Sequence, residues 1–365
     1  MRRFDIEQRA LPSRSFSIAL PFLSTLVALV IGSIPLLLMG QNPIEVYRVM
    51  GESAIGSWRA ITDTLTEATP IMLTGLAAVV AFRLNVWNIG AEGQLQMGAT
   101  AAALVALTLG EGVNTFVAVT LLLIAGAIGG ALYAGLLALP VASWKADEVV
   151  LTLMMNFIAL AFINYLVFGS HSIFRDKASV TFPRGTLVSD NFGLPELFGR
   201  LNIGFIVAIC IAIAIALLLK YTVWGFEYSV VADSRKTAAS AGINQWRIVF
   251  TTLLLSGACA GVGGAVLVGG TVGAMEPRAL VGLGFTGILV AGLGRMSPMG
   301  VIPAAIVVSA LISTGPDIQQ IGVPAPLTVV FEGLILVVIA AGEFLLRYRV
   351  LRTHRAESAR AEGTA

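Results

Sequence analysis

The feature that constrains this chain most is a series of apolar runs too long for a water-soluble core. A helix needs roughly 17–25 mainly apolar residues to cross a hydrocarbon layer about 30 Å thick. Such runs occupy residues 16–39, 65–82, 88–109, 115–140, 148–169, 202–220, 247–270, 280–294, 299–314 and 326–346. Inside a bilayer a segment must satisfy its own backbone polar groups, which selects helices over open sheets. The expected fold is all-α: a polytopic transmembrane helical bundle of about ten spanning helices. Two of the ten are weaker. Residues 88–109 begin with polar side chains and 280–294 is short and glycine-rich, the pattern of broken or re-entrant segments, which need protein or a cavity around their backbone.

Charge and special residues narrow the function. Charged residues make up 12% of the 365 positions and hydrophobic ones 57%, against about 25% charged in a soluble chain. A net charge of +2 is no polyanion-binding balance, so no nucleic-acid partner is expected. Cys210 and Cys259 sit inside apolar runs and read as unpaired buried thiols, with neither a disulfide framework nor metal spacing. His171 and His354 lie far apart in polar stretches. No lysine follows a glycine, which rules out the phosphate-cradling loop of an ATPase. No metal site, no catalytic residue and no cofactor is expected; the chain is not read as an enzyme.

Basic residues set the topology. Arg2, Arg3, Arg9 and Arg14 precede the 16–39 run, which exceeds the 7–15 apolar residues of a signal peptide and reads as a retained first span. With ten spans and the N-terminus inside, the inner segments hold sixteen basic residues and the outer ones seven, the bias expected of cytoplasmic loops. The reading is a multi-pass protein of the cytoplasmic (inner) membrane with both termini cytoplasmic. Residues 1–15 form a cytoplasmic N-terminal segment, 16–346 the transmembrane domain and 347–365 a cytoplasmic tail. Residues 170–201 are an extracytoplasmic loop and 221–246 the longest internal cytoplasmic segment.

Three stretches carry the polar chemistry. Residues 83–96 bring Arg83, Asn85, Asn88, Glu92, Gln94 and Gln96 to the start of a span, where an ionisable group costs several kcal/mol unless it is paired or wet (about +2.5–3.5 on insertion scales). Asn88 and Glu92 are four apart and share a helix face. Either this element lines a pathway or stabilises a broken helix end, or Glu92 pairs with Arg83 and holds the fold. Glu148, Thr152 and Asn156 recur every four residues on an apolar helix, as interhelical hydrogen-bond glue or as part of the pathway. Lys236 to Asn244, rich in alanine with a stop at Gly242, is either a connecting loop or a small-residue knob for a partner's groove. Glycines 126, 129, 130 and 135, and 257, 261, 263, 264, 269 and 270, suit close helix packing in lipid.

Together these segments resemble the binding-protein-dependent ABC permeases of the simple-sugar, nucleoside and branched-chain amino acid type, over about residues 65 to 345. Asn88-Ile-Gly-Ala-Glu-Gly-Gln94 matches the distinctive motif of the sugar and nucleoside branch, and Glu148 to Asn156 its next block. Ser256 to Gly264 and Gly284 to Gly300 resemble two later blocks. Thr237-Ala-Ala-Ser-Ala-Gly-Ile243 resembles the core of the coupling helix, with Ala232, Ser234 and Thr237 where the family pattern has Gly, Asn and Ala. The resemblance implies a permease subunit importing a nucleoside or simple sugar. It implies ABC ATPase subunits that hold the ATP, an extracytoplasmic solute-binding protein, and a second, different permease. Substrate-pathway candidates are Asn88, Glu92, Gln94, Thr152 and Asn156. Coupling candidates are Lys236, Ala238, Ala239, Ala241, Gly242 and Asn244. The alternative is an ion-coupled secondary transporter, for which Glu92 and Glu332 are the carboxylates available; a scaffold without transport is a further one.

Overall fold

A computed structural model describes residues 4–8, 14–144, 146–169, 172–179, 184–324 and 326–352. The helices are α1 (Arg14–Leu38), α2 (Pro43–Ile55), α3 (Trp58–Phe82), α4 (Ala91–Leu109), α5 (Thr115–Trp144), α6 (Glu148–Phe168), α7 (Gly204–Tyr221), α8 (Val223–Asp233), α9 (Arg235–Ser240), α10 (Gln245–Val266), α11 (Leu283–Leu293), α12 (Pro298–Ile312), α13 (Gly315–Gln320) and α14 (Pro326–Arg347). Strands β1 (Phe4–Gln8) and β4 (Tyr348–Arg352) pair antiparallel, as do β2 (Glu196–Phe198) and β3 (Leu201–Asn202). The polar tail from His354, together with Arg2, Arg3, Arg9, Lys145 and His171, lies outside the described residues.

The class is all-α, but the count of spans is corrected. Among the described residues six helices are long and apolar enough to cross a membrane, or seven if the bent pair Leu26–Leu38 and Pro43–Ile55 is one span, rather than about ten. Two physical reasons stand out. α4 carries Glu92, Gln94 and Gln96 in its first turns, all buried, so it is too polar to count as an apolar span. The 280–294 run makes a helix of only 11 residues, about 16 Å at 1.5 Å per residue. The helix at 326–346 forms, yet much of its side-chain structure lies outside the described residues.

The chain divides into two compact units. One comprises the described parts of residues 1–47 and 318–365, where α1 packs on α14 and Gly32 lies against the Phe331 ring. The other, 48–317, carries the polar clusters. At its centre are α3 and α10, with 83% and 78% of their most apolar windows buried, against 22% for α5, α6 and α7. The most apolar helices are therefore peripheral, as expected where the solvent is lipid, and polar side chains lie inside. α3 alone buries Thr62, Thr64, Thr66, Thr69 and Thr74, their hydroxyls bonded to carbonyls within α3 or on neighbouring segments.

Glycine sets the spacing at the centre. A methyl group on Gly261 of α10 would strike the carbonyl oxygen of Gly126 in α5 and approach Gly130 Cα to 2.9 Å. One on Gly98 of α4 would strike Gly261 itself, and one on Gly264 would meet the backbone of Leu95 and Ala99. Three backbones thus touch where side chains are absent, the packing mode that lipid favours. Gly261→Ala is expected to cost about 1–3 kcal/mol by overpacking and to lower the unfolding temperature in detergent by several degrees. Gly292→Ala, where an added methyl meets nothing within 4 Å, is expected to leave it unchanged. Equal behaviour of the two variants would remove the glycine contact as the reason for the spacing.

Candidate functional site

α3 ends at Phe82, and α4 begins only at Ala91. The eight residues between are unwound, and Asn85 adopts a left-handed backbone (φ 56°), a conformation that asparagine tolerates better than most residues. Unwound backbone in a membrane bundle must find partners from neighbouring elements. Here α6 supplies them to the backbone, and α10 holds a side chain of the turn. On α6, Thr152 Oγ1 accepts from the Ile89 N–H at 3.2 Å, Asn156 Nδ2 donates to the Ile89 carbonyl at 2.9 Å, and Asn156 Oδ1 accepts from the Gly93 N–H at 2.9 Å. The four-residue spacing of Thr152 and Asn156 puts both on the face that meets this turn. On α10, Ser256 Oγ accepts from Asn88 Nδ2 at 2.9 Å and donates to the Ala77 carbonyl at 2.8 Å.

Asn88 and Gln94 complete the cluster as a reciprocal amide pair, each donating to the other at 3.1 Å. Asn88, Gln94 and Thr152 are at 0% exposure and Asn156 at 6%, so every one is bonded where no solvent reaches freely. A buried polar network pays only when its members are satisfied, and this one is.

Glu92 does something different. One carboxylate oxygen accepts from the Gly282 N–H and the other from the Gly284 N–H, the latter at 2.6 Å. Gly282 is the residue that caps α11, with φ 95°. Glu92 therefore supplies, from α4, the acceptor that the start of α11 lacks. It sits at once in the first turn of α4 and at the N-terminus of α11, and both helix dipoles favour negative charge there. No Glu92–Arg83 ion pair occurs among the described residues. Gln96 lies one turn on, its Nε2 reaching the Leu280 carbonyl at 3.4 Å and its Oε1 without a partner among the described residues. The side chain of Glu332 lies outside the described residues.

The Lys236–Asn244 stretch forms a short helix between two caps. Ser234 accepts from the Thr237 N–H at 3.2 Å and starts α9; Gly242 (φ 73°) ends it; Asn244 accepts from the Arg247 N–H at 3.1 Å and starts α10. The serine that departs from the family pattern is thus itself a helix cap. Lys236, Ala239, Ala241, Gly242 and Asn244 are exposed, whereas Ala238 is fully buried. Ala238 packs in a second apolar cluster with Leu84, Val86, Tyr228, Val231, Ile248 and Leu253. Two bonds run from α8 to the α3–α4 turn region: Asn85 Nδ2 donates to the Ala232 carbonyl at 3.0 Å, and Tyr228 Oη donates to the Val80 carbonyl at 2.7 Å.

Four of the five pathway candidates, Asn88, Gln94, Thr152 and Asn156, are thus brought together around the α3–α4 turn. Glu92 is directed to the start of α11 instead, and the six coupling candidates lie apart at α9 and the turn after it. Sequence reasoning missed Ser256, Gly282, Gly284 and Tyr228. A lone serine in the 247–270 run was a usable signal; the two glycine amides give none. Among the described residues no group of three or more His, Cys, Asp or Glu side chains is placed to hold a metal ion.

A central bundle whose helix breaks are closed by buried amides and a carboxylate defines a polytopic membrane protein built around broken helices. Residues 60–340 match the family described as branched-chain amino acid transport system / permease component, and the chain belongs to that family. It is a multi-pass transport permease subunit, not itself a catalyst. It is similar to a glucose ABC transporter permease protein of Haloferax volcanii, 31% identical over 341 residues that cover 90% of this chain and 89% of that one. It is likewise similar to a guanosine ABC transporter permease protein of Bacillus subtilis, 30% identical over 88% of this chain and 92% of that one. A nucleoside ABC transporter permease protein of Lactococcus lactis subsp. cremoris is 29% identical over 90% and 92%.

Asn156→Leu keeps roughly the side-chain volume but strands the Gly93 N–H and the Ile89 carbonyl. Each orphaned buried group costs about 1–3 kcal/mol, so a clear fall in the unfolding temperature of the purified permease is expected. An unchanged unfolding temperature would show that α6 does not hold the α3–α4 turn.

Proposed function

We propose that this permease imports a nucleoside or a simple sugar across the cytoplasmic membrane. In this reading an ABC ATPase subunit docks on α9, an extracytoplasmic solute-binding protein delivers the solute, and a second, different permease completes the pathway. Both termini and residues 221–246 face the cytoplasm, and 170–201 face outward. The glucose, guanosine and nucleoside permeases to which the chain is similar support the solute class.

The observation that carries the coupling reading is the construction of α9. It is exposed along one side, capped at both ends, and anchored through Ala238 to the cluster that holds Leu84 and Val86. A partner pushing on α9 would move the α3–α4 turn, and through Glu92 the start of α11. Asn88, Glu92, Gln94, Thr152 and Asn156 then serve the pathway by fixing its walls, with their hydrogen bonds directed at protein groups. Such a relay shifts a two-state equilibrium only as far as the partner distinguishes the states.

Affinity purification of the permease in mild detergent tests this reading. An ABC ATPase subunit is expected to copurify, and Ala239→Asp is expected to reduce its recovery at least about tenfold, the effect of losing about 1.4 kcal/mol, while the permease stays folded. Glu92→Gln is expected to leave the ATPase bound but to lower solute uptake. Full ATPase recovery with Ala239→Asp would move the docking surface elsewhere. Unchanged uptake and solute preference in both Glu92→Gln and Asn156→Ala would end the pathway assignment.

A further inference from the structure

Basic side chains are distributed unevenly along unit 48–317. Every ion pair among the described residues lies near the start of α3 or on the 172–203 segment: Arg48 with Glu52, Arg59 and Arg200 with Asp63, and Arg184 with Asp176. At the other end of α3, Arg83, Lys220 and Arg295 have no acidic partner among the described residues. All three are exposed. The Lys220 ammonium lies over the face of the Tyr221 ring, 4.9 Å from its centroid.

Two of these cations line a cavity of about 390 Å³ together with Ala216, Leu219, Ser297, Pro298 and Met299. The cavity lies where the C-terminal ends of α3 and α7 meet the N-terminal end of α12. Ser297 precedes α12 as its cap residue, but its side chain makes no capping bond, and Pro298 follows at the first helical position. The N-terminal end of the 15-residue α12 therefore borders a space also lined by a guanidinium and an ammonium. Arg295 and Met296, just ahead of Ser297, both adopt left-handed backbone (φ 56° and 53°), which costs on the order of 1–2 kcal/mol per residue for a side chain other than glycine. Ala216, Leu219, Pro298 and Met299 supply the apolar part of the lining.

We propose that this cavity binds a phosphate group, the headgroup of an anionic phospholipid lying at the end of α7. Arg83 presents a planar fork that suits phosphate oxygens, Lys220 adds a second positive charge, and the start of α12 favours an anion. The apolar lining residues suit the glycerol and upper acyl region of a lipid, and the site lies at the ends of the spanning helices α3 and α7, where headgroups are expected. Basic pockets between membrane helices bind acidic headgroups by this combination of charges. The bound lipid would brace the segment beside Asn85, which is hydrogen-bonded to α8.

The test uses the full-length chain, stripped of lipid in detergent, with unfolding temperature as the readout. Phosphatidylglycerol is expected to raise it by about 3 °C or more over the same concentration of phosphatidylcholine, as a ligand of the folded state does. The double variant Arg83→Gln, Lys220→Gln is expected to lose that increment, and Arg83→Lys, Lys220→Arg to keep most of it. If inorganic phosphate with phosphatidylcholine gives the same rise, and the double variant loses it, the site takes free phosphate rather than lipid. Should the double variant fail to fold, Lys220→Gln alone, with its exposed side chain, is expected to lose at least about half the increment. A full phosphatidylglycerol response in the variants, or no response to either anion in the unaltered chain, overturns the proposal.

Discussion

A carboxylate on one helix holding the start of another is the interaction on which the core of this permease depends. Glu92 leaves α4 and binds the Gly282 and Gly284 amides at the head of α11. The need is set by the solvent. In a bilayer interior the first N–H groups of a helix have no water to bond, so a helix of 11 residues that begins inside the bundle must borrow an acceptor. A carboxylate satisfies two donors at once and matches the sign of the helix dipole. The same logic governs the eight-residue gap between α3 and α4, where Thr152 and Asn156 bond the Ile89 backbone and Ser256 accepts from the Asn88 side chain, roles that solvent would take in a loop.

The rest of unit 48–317 follows from putting these polar breaks at the centre. α3 and α10 are buried on most sides, and the strongly apolar α5, α6 and α7 stand around them. Close approach of α4, α5 and α10 then needs glycine, because their backbones meet with no space for a methyl group at Gly98, Gly261 and Gly264. α9 joins the second apolar cluster, with Leu84 and Val86, through one small buried residue, Ala238, while the rest of its surface faces out. In the proposed reading, this short anchored helix is the part that receives a push from the ATPase subunit.

Much of this was legible in the sequence. The 83–96 stretch announced a polar element at a helix start, and the four-residue spacing of Thr152 and Asn156 announced a polar face. What those side chains bind was not legible. Their partners are mostly backbone groups, of Ile89, Gly93, Gly282 and Gly284, and an amide leaves no mark in a sequence. The choice between Glu92 capping a broken helix and Glu92 pairing with Arg83 is decided only by the arrival of α11, 190 residues along the chain. The span count misled for a related reason. Hydropathy sees an apolar run, whereas α4 opens with three buried polar residues and α11 stops after three turns. Ser234 looked like a departure from the coupling-helix pattern and is the residue that starts the helix.

The central claim is that Glu92 holds the N-terminus of α11. Hydrogen–deuterium exchange of the purified permease, followed on peptides covering residues 277–290, measures this directly. Glu92→Gln keeps the shape but replaces one acceptor oxygen with a donor, so one of the two amides loses its partner. Faster exchange in the peptides that hold Gly282 and Gly284, from the amide that loses its acceptor, with the peptides of α5 and α7 unchanged, is the predicted result. Exchange across 277–290 that matches the unaltered protein would contradict the account.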